Sequence, residues 1–253
     1  KTIEAPFSMA HWKRDDFFAW LAIAGCNPTL IECLEAVPEK LALTAESFAE
    51  ATGESLETAL AERRVFVADY AVLEGATGGE VDGYTKYVCA PIAVYASTKA
   101  GFVPVAIQLG QSPDDPIFEP ADGMRWDMAK LATLAADSQL TGLVGHFGLC
   151  HLVMESVVLA SKRNLAIQHP LRVLLDAHTE NTLIVNDITR SSLTPEGGTI
   201  ERMMAQSREA SLDLTARSVR EFRIGESAPP DVFARRGVAD TEALPVYPYR
   251  DDQ

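Results

Sequence analysis

The chain has 253 residues, 47% of them hydrophobic, enough for one large core or two modest ones. Its formal net charge is −14, from 22 Lys and Arg against 36 Asp and Glu, and phosphate binding needs a basic surface, so nucleic acid is excluded as a partner. The cysteines (Cys26, Cys33, Cys89, Cys150) form no CxxC pair and no signal-peptide pattern opens the chain, so reduced, buried thiols in a cytoplasmic protein are expected.

In chain order, Asp15 to Gly25 (DDFFAWLAIAG) predicts an amphipathic helix stopped by glycine, and Asn27-Pro28 restarts the chain. Ser55 is placed to cap a short helix running through Arg64. From Val65 to Leu109 the pattern changes. VFVADYAVL, YVCAPIAVYAS and FVPVAIQL are rich in β-branched and aromatic residues, and Thr98 to Gly101 reads as a hairpin turn. A small antiparallel sheet is predicted there, followed by a Pro/Asp/Gly loop from Gln111 to Gly123.

Helix is expected to dominate the remainder. Met124 to Asp137 predicts one helix, and Ser138 to Arg163 a second of about 25 residues, about 37 Å at 1.5 Å per residue. The second is apolar almost all round and is expected to run through the centre of its domain. Its apolar stretch carries two His and a Glu, which reads as a buried core helix and not as a membrane span. Shorter helices are predicted at Leu171 to His178, Thr199 to Ala210 and Pro229 to Arg236, the last with Pro-Pro at its start and Gly237 beyond its end. Leu244 to Gln253 shows no packing pattern, and no internal repeat or domain boundary stands out.

The chemistry concentrates in Gly145-His146-Phe147-Gly148-Leu149-Cys150-His151. A buried neutral imidazole needs partners for its ring nitrogens, and a metal ion is one that fits an apolar setting. Residues five apart diverge on a regular α-helix, so both rings reach one metal only if the helix carries a π-type turn, a feature that clusters at functional sites. Gly142, Gly145 and Gly148 recur along the same helix at about 1 kcal/mol each relative to alanine, which points either to a deformed backbone or to close helix packing.

Glu155 follows His151 by four, placed either to orient that ring or to pair with Arg163 or Arg190. His169 and His178 sit at helix boundaries and are assigned capping or satisfied hydrogen bonds. Cys150, at a register pointing away from the imidazoles, is assigned to the core. HExxH, GxSxG, Walker and dinucleotide glycine patterns are all absent.

His146-x4-His151-x3-Glu155, then Ala160-Ser161-Lys162-Arg163-Asn164-Leu165, His169-Pro170-Leu171, His178, Asn186 and Arg190-Ser191-Ser192-Leu193, resembles the lipoxygenases in order and spacing. So do Asn27-Pro28, Pro38-Glu39-Lys40, Phe66 to Tyr70, Pro104 to Leu109, and Trp126 with Ala129-Lys130. The resemblance implies a mainly helical fold, a partial lipoxygenase-like catalytic domain with a small antiparallel β-sheet. Residues 1–253 would form a single partial domain: a helical start (1–64), a small β region (65–109), the iron-ligand helix region (124–178), and pocket and trailing helices (179–253).

It further implies a non-haem iron (Fe) dioxygenase, with His146 and His151 as metal ligands and Phe147, Val185, Thr189, Leu193 and Ile200 lining the substrate pocket. Glu155 and Arg190 would support the ligands from behind. The implied reaction removes hydrogen from a bis-allylic carbon of a polyunsaturated fatty acid and adds O2 to the resulting radical.

The family's third His, its Asn and its C-terminal carboxylate find no counterpart in these residues, and two imidazoles are too few for a selective iron site. Either a second polypeptide completes the domain, or a precursor is cleaved, or the chain is a remnant; the first, a partner carrying a His-x3-Asn helix and a C-terminal carboxylate, is expected. Thr189 stands where the family usually has Ala or Gly, and Gly142 where a plant member often has Gln. Both leave open a different oxidation of a small metabolite on the same scaffold, beside a third reading as a non-catalytic binding subunit.

Overall fold

The structure, a computed structural model, describes residues 6–252. The chain begins with helices α1 (Phe7–His11) and α2 (Asp15–Ala24), strand β1 (Glu32–Cys33), helices α3 (Ala45–Thr52) and α4 (Leu56–Ala61), and strand β2 (Val65–Asp69). A hairpin of β3 (Glu80–Val81) and β4 (Tyr84–Thr85) precedes β5 (Ile92–Thr98), β6 (Gly101–Gln108) and β7 (Ile117–Phe118). Helix α5 (Met124–Gln139), a π-helical segment (Leu140–Val153) and α6 (Met154–Asn164) follow. Then come α7 (Pro170–His178), α8 (Thr182–Ser192), α9 (Thr199–Met203), α10 (Arg208–Glu221), α11 (Pro229–Arg235) and α12 (Pro248–Asp251).

The described residues cluster into two compact units. The sheet unit takes residues up to Glu74, Cys89–Asp137 and residues from Arg223 onward; the histidine unit takes Gly75–Val88 and Ser138–Phe222.

The sheet unit is built on a five-stranded antiparallel sheet, order β1-β2-β5-β6-β7. Successive side chains of a strand point to opposite faces. Val65 and Val67 therefore join Leu41, Leu43, Phe48, Ile92 and Val105 in an apolar core on one face. Phe66 points the other way and meets Phe102 at 5.7 Å, which stacks on Tyr95 at 5.3 Å, which stacks on Phe18 of α2 at 5.9 Å. Both faces of the central strands are covered, so β2 and β5 read as continuous apolar runs and not as alternations.

The predicted helix beginning at Asp15, the Ser55 cap, the hairpin at Thr98–Gly101 and the helix opening at Pro229 are all present. The last ten residues depart from expectation. Leu244 and Tyr247 are buried, and Tyr247 donates to the Pro28 carbonyl at 2.8 Å, so isolated aromatic anchors pack the tail without any periodic pattern. Gln253 lies outside the described residues.

In the histidine unit, helix–helix packing replaces the sheet. The break expected at Asp137/Ser138 does not occur: Gln139 keeps helical angles (φ −61°, ψ −49°), and residues 124–164 form one helical run. Neither Gly nor Pro stands at that junction to stop it. By length and composition alone the run could cross a bilayer. Its π segment instead lies against α10, with Leu140, Leu143, Phe147 and Gly148 buried. The α8 side of the segment is covered in part, through Asn186 against His151. Cys150 and His146 are exposed, so the expectation of a helix buried all round is corrected, and with it the core assignment of Cys150. The thiols as a set are unpaired, Cys26 and Cys150 exposed and Cys33 and Cys89 half-buried, against the expectation of burial.

The helix expected over Thr199 to Ala210 is two helices. Between α9 and α10, Gly79 N–H donates to Ala205 O and Ser207 N–H to Thr77 O, so this stretch pairs with extended chain. Lys86 donates to the carbonyls of Glu201 and Met204 and ends α9, while the Ser207 hydroxyl accepts from Ala210 N–H and starts α10. Helix α8 falls in the region where the resemblance implies pocket helices, but no local pattern marks it; LIVNDIT is rich in β-branched residues, whose helix propensity is low.

Candidate metal centre

Local structure decides where the two imidazoles point. The π segment spans both histidines, and its i→i+5 repeat brings residues five apart onto one face. His151 Nε2 lies 3.1 Å from His146 Nε2. Of the two readings of the glycines, close packing is the one seen: at Gly148 α10 approaches so closely that a Cβ would stand 2.6 Å from Ser218 Oγ, and at Gly142 a Cβ would stand 2.9 Å from Met204 Cε.

Behind His151 runs a chain of hydrogen bonds. His151 Nδ1 lies 2.6 Å from Asn186 Oδ1. Asn186 Nδ2 donates to Glu155 Oε2 at 2.7 Å and to the His151 carbonyl at 3.1 Å. Arg190 donates to the same Glu155 oxygen at 2.9 Å. Both candidate roles of Glu155 are thus met in altered form: it pairs with Arg190, and it reaches His151 only through Asn186. Arg190, and then Asn186, hold the Glu155 carboxyl below its ordinary value. His169 accepts from Leu171 N–H as the cap of α7, and His178 Nδ1 meets the Leu174 carbonyl, as their boundary positions suggested.

A cavity of about 160 Å³ adjoins the pair. His146, His151, Phe147, Thr189, Leu193 and Ile200 border it, together with Gly142, Leu143, Thr199 and Met204. Val185 is not in this wall; one helical turn before Thr189, it is 41% exposed on the adjoining strip of α8. The Thr189 hydroxyl donates to the Val185 carbonyl at 2.9 Å, so it presents little polarity to the cavity.

Two imidazole lone pairs at 3.1 Å repel unless a proton or cation lies between them. For metal–nitrogen bonds of about 2.1 Å, neighbouring ligands at a right angle stand roughly 3.0 Å apart. The donor pair therefore fits one edge of a first-row transition-metal site. Among the described residues no group of three or more His, Cys, Asp and Glu side chains converges to enlarge it. Unlike the histidines, Asn186 has no role that the local sequence pattern reveals. Its four-residue spacing to Arg190 becomes a shared helical face only once α8 is known to be a helix.

Comparison with known proteins identifies the family and the fold. A family model for lipoxygenase matches residues 6–246. A Pseudomonas aeruginosa linoleate 9/13-lipoxygenase is 37% identical over 266 residues, covering 99% of this chain and 39% of that protein. A human protein named hydroperoxide isomerase ALOXE3 is 34% identical, covering 100% of this chain and 36% of its own length. The crystal structure of coral 8R-lipoxygenase superposes with a TM-score of 0.90 at 28% identity, over 98% of this chain and 37% of that one. The manganese lipoxygenase of Gaeumannomyces graminis shares the fold, with a TM-score of 0.84 at 19% identity, over 97% of this chain and 44% of the other. The chain thus spans 36–39% of these two sequence relatives, and nothing in the comparisons supports a separate second polypeptide. Its mainly helical architecture with a small antiparallel sheet is that of these structures, and the chain belongs to the lipoxygenase family.

Proposed function

We propose that this chain contributes the first two ligands, His146 and His151, to the non-haem iron centre of a fatty-acid dioxygenase, whose remaining ligands come from residues outside this segment. The observation that carries the reading is the 3.1 Å approach of the two Nε2 atoms from one π segment, beside an apolar cavity. When bound, iron would supply the one-electron oxidation that removes a bis-allylic hydrogen and leaves a carbon radical for O2. The chain's own residues do the rest. Phe147, Leu193 and Ile200 offer an apolar wall that suits an acyl chain and excludes water. Thr189 narrows that wall while spending its hydroxyl on its own helix. Small-ligand pockets usually measure about 300–1,000 Å³, so a cavity of about 160 Å³ accommodates part of a long acyl chain, with further walls expected from outside the segment.

Incubating the purified full-length protein with linoleate under O2 is expected to yield conjugated hydroperoxides. A protein that holds iron yet leaves linoleate and other polyunsaturated acids unchanged would overturn the dioxygenase reading. A second reading is favoured by one observation, the relative named a hydroperoxide isomerase. It is tested by supplying linoleate hydroperoxide and following its loss without O2 uptake. A small polar metabolite fits less well, because the Thr189 hydroxyl is engaged by its own helix and the bordering side chains are mostly apolar. Protein without metal of any kind would favour the binding-subunit reading.

A second polypeptide bearing the other ligands stays an expectation on the notion of an incomplete ligand set; a single full-length band from native source would remove it. Cytoplasmic location is proposed on the four unpaired thiols and is tested by cell fractionation.

A further inference from the structure

Resting on His146 and His151 as metal ligands, we propose that Asn186 is a positioning residue that selects the ligating tautomer of His151, with Glu155 and Arg190 acting through it. The amide has one sensible orientation. Its nitrogen donates to the His151 carbonyl and to Glu155 Oε2, groups that only accept. Both amide hydrogens are then spent, and the atom 2.6 Å from His151 Nδ1 is Oδ1. Because Oδ1 accepts only, Nδ1 carries the ring proton and Nε2 keeps its lone pair. That Nε2 is the atom facing His146. A flipped amide would oppose its oxygen to a carboxylate and a carbonyl, and its nitrogen to Nδ1, leaving the ring free to protonate Nε2 and lose its ligating atom.

Two interlocked pairs set four apart hold the arrangement: His151 with Glu155 on the histidine run, and Asn186 with Arg190 on α8. Asn186 is itself 1% exposed, so water does not compete for its amide. Among the described residues His146 Nδ1 has no such partner. Ligand histidines are commonly fixed through their second nitrogen, and loss of that partner weakens metal binding roughly 10–100-fold.

Two readouts on purified full-length protein test this. In metal-free protein labelled with 15N-histidine, the His151 ring is expected to show a protonated Nδ1 and a bare Nε2 in the wild type, and a mixed population in Asn186→Leu. In iron-loaded protein, Asn186→Leu is expected to release iron to a chelator roughly 10–100-fold faster, with an altered electron paramagnetic resonance spectrum. Asn186→Asp keeps an acceptor against Nδ1 and is expected to hold iron better than Asn186→Leu, although it sets a second carboxylate beside Glu155. A wild-type ring protonated at Nε2, equal iron release from wild type and Asn186→Leu, or faster release from Asn186→Asp than from Asn186→Leu would overturn the proposal. If Asn186→Leu does not fold, Glu155→Leu serves in its place: it frees the amide to flip and is expected to give the same mixed tautomers, and an unchanged ring would overturn the proposal. A wild type with the expected tautomer but no iron uptake would instead overturn the metal reading beneath it.

Discussion

At Asp137 the sheet unit holds a carboxyl among neutral partners. Tyr70 Oη donates to its Oδ1 at 3.1 Å and Asn27 Nδ2 at 3.2 Å, beside a cavity of about 20 Å³, room for about one water. Burial pushes the carboxyl above its ordinary value, and the hydrogen bonds from Tyr70 and Asn27 oppose that only in part. A raised folded value means that the folded state binds the proton more tightly than the unfolded chain does. The associated stability is fully present below the unfolded aspartate value of about 3.9 and is lost as pH rises through the folded value. Asp137→Asn keeps an acceptor oxygen for both donors. It is expected to flatten this part of the pH profile and to raise the melting temperature at neutral pH; a lower one, or an unchanged slope in the acid range, would contradict the assignment.

The histidine pair was legible at this same scale. Imidazoles are costly in an apolar stretch, and a spacing of five has one helical solution that brings them together. Asn186 was not, because its role exists only through the fold of α8.

The π segment is the element that brings His146 and His151 together. At Gly148 a Cβ would stand 2.6 Å from Ser218 Oγ and 3.2 Å from the Leu143 carbonyl. Gly148→Ala is expected to push α10 away and to destabilise the histidine unit by about 1–3 kcal/mol, the usual cost of overpacking. Combining it with Ser218→Ala should restore part of the loss in chemical denaturation, and strict additivity of the two changes would contradict the contact.

Helices with capping residues and apolar periodicity, such as α2 and α4, were readable in advance. Helix α8 was hidden by Ile184, Val185, Ile188 and Thr189, whose branched side chains signal strand more than helix. The gap between α9 and α10 was hidden for a different reason. It is made by hydrogen bonds to residues more than a hundred positions earlier in the chain, Thr77 and Gly79, which no local pattern reports.

For the whole molecule, the chain covers just over a third of its sequence relatives, and its apolar surface is consistent with that. Leu171, Val173 and Leu174 on α7 and Ile184 and Ile188 on α8 are exposed, while a soluble monomer rarely leaves large contiguous apolar patches bare. Expressed by itself, the 253-residue segment is expected to self-associate or to bind a hydrophobic dye. A monodisperse monomer that takes up stoichiometric iron would contradict the view that two imidazoles are only part of a site. The family was readable from spaced motifs over nearly the whole chain, whereas the division into two units was not, since each unit is assembled from segments distant in sequence.

Metal analysis of the full-length protein by atomic emission, beside His146→Ala and His151→Ala, tests the central claim most directly. The account predicts about one iron per wild-type protein and loss of most of it in either variant, with the fold retained by circular dichroism. Wild-type iron content in both folded variants, or no iron in the wild type, would contradict it.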